Sequence, residues 1–121
     1  ITQTTKAFDI KIENLGIIGI RYKPRVIWAG IEKSETLITL GENVLNKLDQ
    51  IGFKSDRQNF IPHITLGRIK FIQDKMHLKQ VIDKNKPQLL QHDQLKSFYL
   101  YESILTSEGP QYKVVKSFFL Q

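Results

Sequence analysis

Phe60-Ile61-Pro62-His63-Ile64-Thr65-Leu66-Gly67-Arg68 is the stretch on which the reading of this chain turns. After the proline come an imidazole, an aliphatic side chain, a hydroxyl and another aliphatic, the period-two pattern of a half-buried strand. Side chains alternate faces along a strand, so His63 and Thr65 share one face and Ile64 and Leu66 the other. The apolar pair is expected in a core beneath a helix, and the polar pair on an open face. Pro62 fixes the entry to the strand. Gly67, next on the His63 face under strict alternation, would leave room for a ligand. The strand is expected to run from about His63 to Phe71.

Upstream, Phe8, Ile10 and Ile12 alternate with Asp9, Lys11 and Glu13 and predict another half-buried strand. It continues into Leu15-Gly16-Ile17-Ile18-Gly19, where the glycines suggest a bend or bulge. Arg21-Tyr22-Lys23-Pro24-Arg25 reads as a basic loop, and Val26 to Ile31 as a strand buried on both faces, with Trp28 in the core. Ser34 is a helix N-cap with Glu35 in the first turn. Leu37, Leu40, Val44, Leu48 and Ile51 trace one helical stripe that Gly52 should end. Downstream, a second helix fits between Asp74 and Asn85, with Pro87 ending it. Leu95 to Leu105 and Gln111 to Leu120 read as a hairpin around the turn residues Thr106 to Pro110. The order β-β-α-β-α-β-β predicts an α+β fold with mostly antiparallel sheets.

The 121 residues, 40% hydrophobic, 10% aromatic and 25% charged, fit a single globular domain over 1–121. No apolar run is long enough for a membrane span. There is no cysteine, so disulfides and thiolate metal sites are excluded and a cytoplasmic location is expected. The formal charge of +6 favours polyanions such as RNA. The chain opens at Ile1 in a polar stretch leading directly into a strand, which reads as a fragment or a boundary.

Chemistry enters at His63. An imidazole can move a proton at physiological pH. The Thr65 hydroxyl can donate to a non-bridging phosphate oxygen, where transition-state charge gathers. Breaking a phosphodiester in line needs a base on the attacking oxygen and an acid on the leaving one. A second proton-transfer group must therefore face His63 across a cleft. A His-x-Thr pair alone is equally what a structural or merely exposed histidine presents.

Phe60 to Arg68 resembles the second signature of the two-histidine phosphoesterases, in the branch named RNA 2′,3′-cyclic phosphodiesterase or 2′-5′ RNA ligase. Pro24-Arg25-Val26-Ile27-Trp28-Ala29-Gly30-Ile31 is similar to the strand before that family's long helix. Leu100-Tyr101-Glu102-Ser103 with Gly109-Pro110-Gln111-Tyr112 resembles its C-terminal hairpin. The resemblance implies a two-lobed, pseudo-symmetric 2′-5′ RNA ligase-like fold with helices on the outer face, of which residues 1–121 are the C-terminal part. The family carries two His-x-Thr motifs. Here His77 is followed by Leu78 and Lys79, and His92 by Asp93 and Gln94, so neither supplies the second. The first motif is expected upstream of Ile1; a degenerate, non-catalytic relative is the alternative.

By resemblance, the complete protein is a hydrolase that opens 2′,3′-cyclic phosphate ends of RNA or oligonucleotides to 2′-phosphomonoesters, with 2′-5′ ligation as a reversible companion. No cofactor and no metal are implied. His63 would activate water, Thr65 would hold the phosphate, and the absent histidine would protonate the leaving 3′ oxygen. Nothing in the spacing separates acid from base. The 121-residue chain alone is expected to be inactive and to self-associate through exposed strands.

Other residues divide between two readings. Arg68 has the geometry for phosphate, but alternation puts it opposite His63 unless the strand twists or bulges at Gly67. Arg21, Tyr22, Lys23 and Arg25 suit a single-strand RNA groove or a solvated basic loop. Tyr101 and Ser103 border the groove, or join Tyr99 in a packed aromatic row. Lys113 and Lys116 read as edge charges. Two rivals remain: a binding module of the same fold that holds RNA ends or cyclic nucleotides without turnover, and an unrelated α+β scaffold with a chance motif.

Overall fold

The computed structural model describes residues 1–20, 23–54, 61–85 and 89–121, with the side chains at 18–20 and 23–25 excepted. Its elements are β1 (Phe8–Ile20), β2 (Lys23–Ile31), α1 (Glu35–Gln50), β3 (His63–Arg68), α2 (Lys75–Lys84), β4 (Leu89–Leu95), β5 (Ser97–Thr106) and β6 (Gly109–Phe119). The order in the larger sheet is β3-β2-β1-β4, and β5 and β6 form a two-stranded sheet. The β1–β2, β2–β3 and β5–β6 pairs are antiparallel, so the α+β class with mostly antiparallel sheets is as expected.

The chain divides into two compact units, Ile10–Asp93 and Ile1–Asp9 with Gln94–Gln121. In the first, α1 starts where local chemistry dictates: Ser34 accepts from the Leu37 N–H at 3.2 Å. It ends with Gly52 at φ +98°, where the Gly52 N–H meets the Asp49 carbonyl and the Phe53 N–H the Leu48 carbonyl. That is a Schellman stop, which the absent Cβ of Gly52 permits. α2 is capped by Asp74, which accepts from the His77 N–H at 3.0 Å. Among the described residues the buried hydrophobic ones are Ala29 on β2, Leu40 on α1 and Ile82 on α2. The core of this unit is therefore drawn from one strand and both helices. No described helix is long and apolar enough to cross a membrane.

The second unit is the β5–β6 hairpin, closed by Ser107 and Glu108 and by the Thr106 hydroxyl, which donates to the Gly109 carbonyl at 2.6 Å. Backbone bonds from Ala7 to Gln121 and from Gln121 to Thr5 tie the chain's two ends together. Tyr99, Tyr101 and Tyr112 form an aromatic row, with ring centroids 6.0 and 6.3 Å apart along it.

Several expectations are corrected. Lys23, Pro24 and Arg25 belong to β2, not to a loop. Pro24 is tolerated because β3 pairs with β2 only from Val26 onward, leaving a strand on one side of the proline. Leu95 to Leu105 is broken at Lys96 into the ends of two strands, and Leu89–Leu95 is an additional strand. β3 stops at Arg68 rather than Phe71. Ile64 and Leu66 are 40% and 57% exposed rather than buried, because among the described residues β3 is an edge strand with a neighbour on one side. Arg21 and Tyr22, read as part of the basic loop, Phe60 of the motif and Pro87 after α2 lie outside the described residues.

Candidate functional site

The β2–β3 ladder sets the site. Gly30 lies opposite His63, Ala29 opposite Ile64 and Trp28 opposite Thr65. Cross-strand partners point to the same face, so His63 and Thr65 share a face with Trp28, as the alternation requires. The register then shifts: Ile27 pairs with Gly67 and Val26 with Arg68, leaving Leu66 as the extra residue of a bulge. Val26, Trp28 and Gly30 alternate regularly along β2, so Arg68 falls on the His63 face and Gly67 on the opposite one. Two expectations change together. Gly67 is not the open position beside the site, and Arg68 reaches that face through a bulge one residue earlier than the one considered.

The His63 Nδ1 lies 2.6 Å from the carbonyl oxygen of Ile61. A carbonyl only accepts, so Nδ1 carries the proton and Nε2 is the nitrogen left to face a ligand. Neutral, the ring presents a lone pair at Nε2; protonated, it presents a donor there. The same geometry serves a base and an acid. Pro62 stiffens the backbone between carbonyl and ring, and His63 is exposed, so Nε2 is accessible to a ligand. Thr65 and Arg68 are exposed as well. An imidazole, a hydroxyl and a guanidinium thus share one open sheet face.

Trp28, read from the sequence as core, stands on this face. Its indole meets the His63 ring with centroids 6.3 Å apart and planes inclined at 62°. The signal that could have revealed it is a pair of strand glycines, Gly16 and Gly30, whose missing Cβ atoms make space for the indole.

The other candidates are placed as follows. Lys23 and Arg25 lie on β2, Lys23 opposite Ile20 and Arg25 at the register shift beside Pro24. Arg21 and Tyr22 are outside the described residues. Tyr101 and Ser103 belong to the hairpin unit, on one face with Tyr99, where the Tyr99 and Tyr101 rings contact each other but stay exposed. His63 is the one histidine on β1, β2 or β3, with His77 on α2 and His92 on β4. Among the described residues no group of three or more His, Asp or Glu side chains gathers as metal ligands would.

An imidazole able to move a proton and a hydroxyl and guanidinium able to meet an oxyanion thus stand together on an antiparallel sheet face. The chain belongs to the 2′-5′ RNA ligase superfamily, whose family model matches residues 1–99. It is 37% identical over 107 residues to the RNA 2′,3′-cyclic phosphodiesterase of Methanocaldococcus jannaschii, covering 88% of this chain and 61% of the relative. It is 36% identical over 109 residues to the protein of the same name from Thermotoga maritima, covering 90% of this chain and 56% of the relative. The crystal structure of TT0787 from Thermus thermophilus shares the fold, with a TM-score of 0.77 at 24% identity, covering 98% of this chain and 63% of that one. The chain thus spans between 56% and 63% of the length of these proteins. The family resemblance drawn from Phe60 to Arg68 is borne out.

Proposed function

We propose that this chain is the C-terminal part of a two-lobed RNA 2′,3′-cyclic phosphodiesterase and supplies one of its two proton-transfer groups. The observation that carries the reading is the His63 Nε2, turned outward by the Nδ1–Ile61 bond, beside Thr65 and Arg68 on one face. In the reaction, water attacks phosphorus, the bond from phosphorus to O3′ breaks, and a 2′-phosphomonoester and a 3′-hydroxyl remain. His63 Nε2 takes the proton of the attacking water. A second group across the groove, supplied from outside these residues, gives a proton to O3′. The Thr65 hydroxyl and the Arg68 guanidinium meet the non-bridging oxygens, where charge builds as the bond breaks. The formal charge of +6 draws the RNA end toward the groove. The substrate, an RNA or oligonucleotide end with a 2′,3′-cyclic phosphate, is taken from the relatives' names and from the match of these groups to a phosphodiester.

The test is hydrolysis of 2′,3′-cyclic nucleotides by the protein at its natural full length. His63→Ala should lose on the order of 10²–10⁴ in rate, the contribution of a positioned acid–base group. Thr65→Ala should lose less, because its hydroxyl shares the phosphate with Arg68. Full activity of His63→Ala would sink the assignment. A larger loss in Thr65→Ala than in His63→Ala would reverse the two roles. Binding of a cyclic-phosphate end without turnover by the wild-type protein would select the non-catalytic module instead.

A further inference from the structure

Among the described residues β3 is the edge of its sheet, so the strand neighbour of His63 lies on the β2 side. The residue directly opposite on β2 is Gly30, which has no side chain to offer. The hydrogen bond to Ile61 holds one ring atom but leaves the plane of an exposed imidazole free to rock about it. The slot beside the ring is filled from two residues away. The Trp28 indole lies over Gly16 on β1, where a Cβ would overlap Cζ2, and beside Gly30, where a Cβ would fall 2.9 Å from the Glu13 carbonyl oxygen and 3.1 Å from Cζ3. Gly16 pairs directly with Trp28, so backbone on two strands forms the seat of one ring. From that seat the indole meets the imidazole in an edge-tilted contact, centroids 6.3 Å apart, a diagonal reach that only a long aromatic side chain makes. The seat also buries the indole Nε1 with no hydrogen-bond partner among the described residues. An aliphatic side chain would cover the same backbone without stranding a donor. An arrangement that sacrifices a donor and sets a glycine on β1 directly beneath the ring is poorly explained by stability.

We infer that Trp28 is a positioning residue for His63: its indole, seated on Gly16 and Gly30, holds the imidazole plane so that Nε2 meets the reacting oxygen in line. The inference rests on His63 being the proton-transfer group, and it adds a residue that acts through His63 without touching substrate. Small displacements at such a group are expensive in rate, since a shift of about 1 Å can cost on the order of a hundredfold.

The discriminating pair is Trp28→Phe against Trp28→Leu in the full-length protein, with folding checked by thermal melting. Both cover the glycine seat with apolar atoms, and only phenylalanine keeps a flat ring to set against the imidazole. Trp28→Leu should lose about tenfold or more in kcat with KM within about twofold, while Trp28→Phe keeps most of kcat. Equal kcat in the two folded variants, or a loss confined to KM, would overturn the positioning role. His63→Ala, run beside them, separates the two ideas. If His63→Ala is active, the reading of the site fails. If it is dead while both Trp28 variants turn over like wild type, the positioning inference alone fails.

Discussion

Gly67 and Arg68 are neighbours in sequence with opposite duties, and a single extra residue in β3 decides which has which. The bulge at Leu66 turns Arg68 onto the His63 face and Gly67 away from it. A Cβ at Gly67 would meet nothing within 4 Å, and its φ lies outside the left-handed region. Gly67→Ala should therefore leave cyclic-phosphate hydrolysis intact and hold or raise stability by up to about 1 kcal/mol through a less flexible unfolded chain. Arg68→Ala should lower kcat/KM by about tenfold, as one charged phosphate contact is lost. Steady-state kinetics on the pair checks this, and the reverse pattern would put the bulge elsewhere. The alternation of His63, Ile64 and Thr65 was legible because a strand's period is local. The bulge was not, since it depends on which β2 residue each β3 residue meets, a long-range registry that a period cannot encode. Trp28 departs from its sequence reading for a related reason. Its apolar neighbours suggest core, and only the two facing glycines mark the surface it covers.

At the scale of elements, the helices were the most legible parts because their ends are written in nearby residues. Ser34 and Asp74 each accept from the N–H three residues on, and Gly52 supplies the left-handed stop after α1. Ser34→Ala should remove one cap bond and lower stability by about 1 kcal/mol, with α1 otherwise unchanged. Chemical denaturation would show this as a lower midpoint at constant slope. An unchanged midpoint would mean that the α1 start is held by packing rather than by its cap. β4 was the least legible element. Its residues Leu89-Leu90-Gln91-His92-Asp93-Gln94-Leu95 carry no period-two pattern, and every one except Leu95 is exposed. It is a strand because β1 offers it an edge to pair with, a reason that lies some 70 residues away in the chain. β2 shows the same limit in reverse, since Pro24 argued for a loop where the ladder simply has one open side.

At the scale of the whole molecule, what matters is how much apolar surface the strands leave uncovered. The hairpin unit contains no buried residue among those described. Leu100 is 53% exposed, Leu105 84%, Val115 59% and Phe119 70%, so apolar side chains meet solvent on both faces of a two-stranded sheet. Such a hairpin is marginal by itself and needs a covering layer or further strands. β3 adds an open edge with Leu66 exposed beside it. Hydropathy patterning reveals which residues want cover, but it cannot reveal whether cover is present. A polypeptide of these 121 residues alone should therefore self-associate, by edge pairing or by burying the hairpin faces against a second copy. Its mass by light scattering should rise with concentration above that of a 14.1 kDa monomer. Leu105→Lys combined with Val115→Lys should reduce that association, because each places a strongly hydrated charge on a surface that must be dried to pair. The same double substitution leaves His63, Thr65 and Arg68 untouched, so any change it causes reports on the uncovered surface and not on the site. A concentration-independent monomer would show that these faces are tolerated in water, and a monomer active on cyclic phosphate would refute the need for a second proton-transfer group from outside these residues.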